Sequence, residues 1–209
     1  MLHKETVEPR ILELIEKLQS DPIFENFYLV GGTALALQIG HRRSIDIDLF
    51  TRSDFDTTYL IEHLESNYKF SVQFSHKNSL KGIINGIFVD LLKHDYKYVT
   101  KPLVTEGIKM LDKPDIAAMK VNAITGNGTR VKDFIDIYFL LKDYGFEEII
   151  HYYSVKYNER NTFHVVKSLT CFNDIEEGEW PKMIVEPHLN LKEVKRFITK
   201  KRDEYLSKK

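Results

Sequence analysis

The chain has 209 residues, 43% hydrophobic and 29% charged, enough for one large domain or two small ones with a core of useful size. Its formal net charge of −1 gives no global argument for nucleic acid or a membrane surface. The single cysteine, Cys171, excludes an intrachain disulfide or a cysteine metal cluster, and with no signal-peptide core and no apolar run near the roughly 20 residues of a membrane span a cytoplasmic location is expected.

Apolar residues at Ile11, Leu12, Ile15 and Leu18 recur at helical spacing over 7–18, and Asp21-Pro22 stops that helix. Residues 27–30 read as a short strand, 33–39 as a short helix leaving a diglycine, and 45–50 as a second strand. Asp54 or Asp56 can cap a helix running to about residue 67. Three strand-like runs follow, at 69–75, 82–84 and 87–92. Asn85-Gly86 between the last two is a two-residue hairpin signal, because both turn positions need positive φ.

From Asp112 the pattern turns helical. Asp112 can cap a helix with Pro114 in its first turn, and Asp115 can complete the cap. Gly126-Asn127-Gly128 breaks that helix. Further helices are expected at about 131–142, 147–157, 162–169 and 191–206. The chain is therefore read as α+β, with an α/β half over 1–105, a helical half over 106–209 and a boundary within 100–113. From Lys192 to Lys209 there are eight Lys or Arg against three Asp or Glu. Such a basic helix is a solvated face or a contact for RNA or an acidic partner.

The positions that carry chemistry lie mostly in the first half. Gly31-Gly32-Thr33-Ala34-Leu35 follows one apolar run, and Ser44-Ile45-Asp46-Ile47-Asp48-Leu49-Phe50 places two carboxylates inside another. Glycines let backbone approach a phosphate, Thr33 opens a helix whose free N–H groups attract anions, and an ordinary strand-to-helix turn would look the same. Asp46 and Asp48 at i, i+2 on one strand point to one face. Buried carboxylates are costly unless paired or bound to metal, and a hard divalent cation near a phosphate would hold them. Asp90 interrupts Ile87-Phe88-Val89 and Leu91-Leu92, and reads as a third metal ligand, a general base, or an edge-strand carboxylate bonded to an arginine. Arg42, Arg43 and Ser44 form either a polar loop or a phosphate contact suited to planar arginine. Lys120 sits among alanines and Val121. Asp133 and Asp136, one turn apart beside Arg130 and Lys132, pair structurally with Lys120 or Arg130, or share its chemistry. The eight histidines show no zinc-ligand spacing, and no Walker or Rossmann loop is present.

Leu29-Val30-Gly31-Gly32-Thr33-Ala34-Leu35 followed by Arg43-Ser44-Ile45-Asp46-Ile47-Asp48-Leu49-Phe50 resembles the polymerase-β-like nucleotidyltransferase superfamily. With Lys120, Arg130-Val131-Lys132-Asp133-Phe134-Ile135-Asp136 and Ser168-Leu169-Thr170-Cys171-Phe172-Asn173-Asp174, it resembles more narrowly the AbiEii/AbiGii toxin family of bacterial abortive-infection systems. This chain has Gly-Gly-Thr where many transferases have Gly-Ser, and Lys132 where an arginine is expected.

The resemblance implies a mixed-sheet nucleotidyltransferase core followed by a helical C-terminal domain. It implies Mg²⁺ or Mn²⁺ on Asp46, Asp48 and Asp90, and nucleotide contacts from Gly31, Gly32, Thr33, Arg43, Ser44 and Lys120. Asp46, Asp48, Asp90 and Lys120 are then the catalytic set, supported by Arg130, Asp133 and Asp136. It also implies an antitoxin partner encoded alongside and transfer of a nucleotide from an NTP to a hydroxyl acceptor, with tRNA as one candidate. A small-molecule transferase and a nucleotide-binding module with little turnover are the alternatives.

Overall fold

The protein is described from a computed structural model over residues 1–176, 178 and 180–208. It divides into two units. One comprises Met1–Tyr96 and Pro102–Leu111, the other Lys97–Lys101 and Asp112–Lys209.

In the first unit, helix α1 (Pro9–Ser20) begins on a proline at its first turn, where the missing N–H costs nothing. It buries Ile11, Leu14, Ile15 and Leu18. Strand β1 (Tyr28–Val30) runs straight into α2 (Gly31–Ile39), which therefore starts two residues earlier than its composition suggests. Strand β2 (Ile47–Thr51) follows, then α3 (Thr57–Tyr68), whose N-terminus is capped by the Asp56 carboxylate accepting from the N–H groups of Thr58 and Tyr59. The meander β3 (Phe70–His76), β4 (Ser79–Ile84) and β5 (Ile87–Lys93) comes next. Asn85 and Gly86 take φ of 50° and 78° in the turn between the last two strands, as the hairpin signal requires.

Two strands lie inside the stretch expected to be a boundary. β6 (Leu103–Thr105) and β7 (Ile108–Met110) form a hairpin around Glu106 and Gly107, both at positive φ. Three-residue strands are too short to show period-two patterning, and only Gly107 marks the turn. The sheet has seven strands in the order β3-β4-β5-β2-β1-β7-β6. It is mixed, since β2 runs parallel to β5 and β1 parallel to β7, while the other pairs are antiparallel. Leu49, Val89 and Leu91 point to the buried face, and α2 and α3 pack on the sheet.

The second unit is helical: α4 (Lys113–Gly126), α5 (Val131–Asp143), α6 (Phe146–Tyr157), α7 (Phe163–Ser168) and α8 (Leu191–Leu206). Asp112 caps α4 through the Lys113 N–H. Asp115 does not complete that cap. Its carboxylate is wholly buried, 2.7 Å from Lys156 Nζ on α6, and it accepts hydrogen bonds from the backbone N–H groups of Val99 and Thr100. Lys156 is as deeply buried and also lies over the Tyr98 ring. This pair ties the 97–101 segment to the helices of its unit. Helix α8 has the expected bounds, and part of its charge is neutralised within the helix by Arg202–Asp203 and Lys200–Glu204 contacts; Lys209 lies outside the described residues. No helix among the described residues is long and apolar enough to cross a membrane.

Removing one partner of a buried ion pair strands the other charge in a poorly solvating interior. Lys156→Ala is expected to lower stability by about 3–5 kcal/mol, read as a shift in the urea unfolding midpoint at unchanged slope. A loss below about 1 kcal/mol, the scale of an exposed pair, would remove the pair's anchoring role.

Candidate active site

The register of β1 on β2 builds the first part of the site. Val30 lies opposite Asp48, so the chain turns into α2 directly beside the Asp48 carboxylate. Gly31 takes φ +70° there, and a Cβ on it would sit 2.1 Å from Asp48 Oδ2. Glycine is thus required twice, by its backbone conformation and by the approach of the carboxylate. The first residue of α2 is where a helix favours negative charge. Gly32 is needed for a different neighbour. A Cβ on it would lie 2.5 Å from Arg42 Nη2. Arg42 is buried, with Nη1 donating to the Arg43 carbonyl at 3.1 Å, whereas Arg43 is exposed. Arg42 therefore supports the diglycine turn from inside.

Thr33 and Ser44 are also buried. Their hydroxyls share a 2.9 Å hydrogen bond, and Thr33 Oγ1 donates to the Asp46 carbonyl. This clasp fixes the segment entering β2, whose first residue is Ile47. Asp46 precedes the strand and Asp48 lies within it, both half-buried, while Ile47 and Leu49 are wholly buried. Ile45 is 52% exposed, so it does not join the apolar face of that run.

The parallel register of β2 on β5 places Asp48 beside Asp90. Strand β5 is third from one edge of the sheet, so Asp90 is not an edge-strand residue. Its partner is a lysine. Lys81 stands opposite Asp90 on β4, with Nζ 2.5 Å from Asp90 Oδ2. The result is a row across three strands on one face: Lys81, Asp90, Asp48. Two carboxylates side by side on neighbouring strands repel unless a cation compensates them, and Lys81 supplies one positive charge.

An all-carboxylate donor set suits a hard divalent cation. Asp90 is in register with Asp48, and Asp46 lies just before the strand that carries Asp48, outside the alternation of the strand itself. Among the described residues no three His, Cys, Asp or Glu side chains are already gathered around one metal position. The donor chemistry fits, and the third carboxylate is engaged by Lys81.

The second unit holds the other candidate residues. Lys120 on α4 is buried, with Nζ 2.7 Å from Asp133 Oδ1 and 2.7 Å from Asp136 Oδ2, both on α5. Asp133 and Asp136 face the same side because they are one turn apart. Arg130 Nε lies 3.7 Å from Asp133 Oδ2, a buried oxygen with no hydrogen-bond donor. Two carboxylates thus enclose one ammonium, as the structural alternative for these residues anticipates. In the 168–174 stretch, Phe172 packs on Phe134 of α5 at 5.5 Å, while Asp174 is exposed.

Gly31→Ala combines left-handed backbone strain with a clash on Asp48, and is expected to cost about 1–3 kcal/mol in urea unfolding. The same substitution in an Asp48→Ala background should cost measurably less, since the carboxylate clash is gone and only the φ penalty and a 3.3 Å approach to the Cβ of residue 48 remain. Equal costs in the two backgrounds would remove the Gly31–Asp48 contact from the account.

Residues 13–100 match the family model described as nucleotidyl transferase AbiEii toxin, type IV toxin–antitoxin system. The uncharacterized protein aq_aa25 of Aquifex aeolicus (strain VF5) is 32% identical over 200 residues, covering 93% of this chain and 95% of that protein. A putative nucleotidyltransferase from H. pylori superposes with a TM-score of 0.58 at 16% identity, over 95% of this chain and 93% of that one. MenT4, a nucleotidyltransferase toxin from Mycobacterium tuberculosis H37Rv, superposes with a TM-score of 0.57 at 13% identity, over 95% and 82%. The two structural likenesses establish the nucleotidyltransferase fold with its helical C-terminal region. With the diglycine turn, the acidic strand and this sequence kinship together, the chain belongs to the AbiEii nucleotidyltransferase toxin family.

Proposed function

We propose that this nucleotidyltransferase moves an NMP from an NTP to a hydroxyl acceptor in the cytoplasm, and that it is the toxin of an abortive-infection toxin–antitoxin pair. The observation that carries the reading is the row of carboxylates on one sheet face, with Asp48 and Asp90 in register and Gly31 closed against Asp48. The acceptor hydroxyl oxygen attacks the α-phosphorus as its proton passes to a carboxylate of the row, for which Asp90 is the candidate base, the bond to the β-phosphate oxygen breaks, and pyrophosphate leaves. Asp46 and Asp48 would hold a divalent cation, Mg²⁺ or Mn²⁺, with Asp90 as third carboxylate. Such an ion supplies neutralisation of the charge that develops on the phosphate oxygens.

The protein's own part is positioning and electrostatics. The diglycine turn brings the α2 N-terminus, a natural phosphate site, next to Asp48. Gly31, Gly32 and exposed Arg43 are assigned to the phosphates, with Thr33 and Ser44 holding the turn. Lys120 is assigned to the nucleotide as well, with Arg130, Asp133 and Asp136 keeping its ammonium in place. The transferase core is assigned to the unit of Met1–Tyr96 and Pro102–Leu111, which extends past the expected 105/106 division because β7 belongs to its sheet, and the helical domain to the other unit. RNA, tRNA included, is the proposed acceptor, supported by the basic surplus of the last helix. The type IV toxin–antitoxin description of the family supports a protein antitoxin as partner.

Incubation with each α-labelled NTP, Mg²⁺ and cell extract is expected to label RNA. Asp46→Asn and Asp48→Asn should each abolish labelling while the circular dichroism spectrum and melting temperature stay close to those of the parent. Normal turnover in either variant would sink the assignment, and label in a small hydroxylated compound would replace the RNA acceptor.

Lys120→Ala separates the two roles open to that residue. A raised KM for NTP is expected from loss of a phosphate contact. An unchanged KM and kcat with lowered stability would leave Lys120 only as the cation of the Asp133–Asp136 pair.

A further inference from the structure

We propose that Lys81 is a tethered counter-ion of Asp90 that competes with the divalent cation for that carboxylate, and so sets the cation concentration at which the site assembles. The inference rests on the metal-site reading above and adds a residue to it.

Three observations converge. The hairpin register puts Lys81 directly opposite Asp90, and the parallel register puts Asp90 beside Asp48. The Lys81 ammonium lies 2.5 Å from Asp90 Oδ2, so an incoming cation meets a carboxylate whose charge is already partly neutralised and one of whose two oxygens is taken. The Lys81 side chain is 53% exposed and that of Asp90 31% exposed, so the lysine has solvent into which it can withdraw. An exposed, flexible ion pair is weak compared with a buried one. It neutralises the carboxylate row and yields without repacking the core. The other charged pair of β5 differs, since Lys93 at the strand end is held by Asp54, away from the carboxylate row. Lys81 thus lies on the side of Asp90 away from Asp48, placed to screen Asp90 without standing between the two carboxylates.

Direct Mn²⁺ titration of the full chain, read by the electron paramagnetic resonance signal of the free ion, tests this without turnover. Lys81→Met is expected to bind Mn²⁺ about two- to fivefold more tightly than the parent, the scale of an exposed ion pair. The gain should vanish when Lys81→Met is made in an Asp90→Asn background. An unchanged or weaker affinity in Lys81→Met would overturn the proposal. So would an equal gain in the Asp90→Asn background, which would show only a general loss of positive charge. The underlying metal site is checked separately in the same titration. If Asp48→Asn binds Mn²⁺ as well as the parent, the metal-site reading fails, whatever Lys81 does.

Discussion

The contact between the Asp48 carboxylate and the first residue of α2 is the constraint around which the site is built. It exists because Val30 and Asp48 are register partners and because the residue after Val30 is a glycine at φ +70°. Any side chain at position 31 would meet Asp48 before it met a ligand. The diglycine therefore serves the protein's own carboxylate first. Its second glycine serves Arg42, whose buried guanidinium fills the space beneath the turn. A phosphate would encounter a turn already shaped by an acid on one side and a base on the other.

From that contact the electrostatic problem follows. A strand entered with Asp46 and carrying Asp48 lies beside Asp90 on the next strand, and this concentrates negative charge on one face. The protein answers with Lys81 rather than with burial, which leaves the pair open to solvent and exchangeable. The second unit solves its own version differently. Lys120 is enclosed between Asp133 and Asp136, and Lys156 is paired with Asp115 out of reach of water. Buried pairs of this kind are expensive to break and resist rearrangement. The exposed pair on the sheet face suits exchange, and the enclosed ones suit fixed geometry.

Much of this was legible residue by residue. The helix over 191–206, the Asp56 and Asp112 caps and the Asn85-Gly86 hairpin all rest on local chemistry, where capping and turn preferences act within a few residues. Even Lys81 could have been found. A two-residue turn at 85–86 dictates that 84 faces 87 and hence that 81 faces 90. The β6–β7 hairpin was hidden because its strands are three residues long. Asp115 reads as a local cap because the competing partner, Lys156, lies 41 residues away.

By itself, then, the sequence determined which residue types could carry nucleotidyl transfer and which local elements would present them, since periodicity, caps and turns are short-range effects. Tertiary structure alone decided that β2 pairs with β5 in the register that sets Asp48 against Asp90. It also decided that Arg42 turns inward while Arg43 stays exposed, and that Asp115 anchors a distant segment. Strand pairing across 42 residues and the burial of a charge depend on what else packs nearby, and no local pattern contains that information.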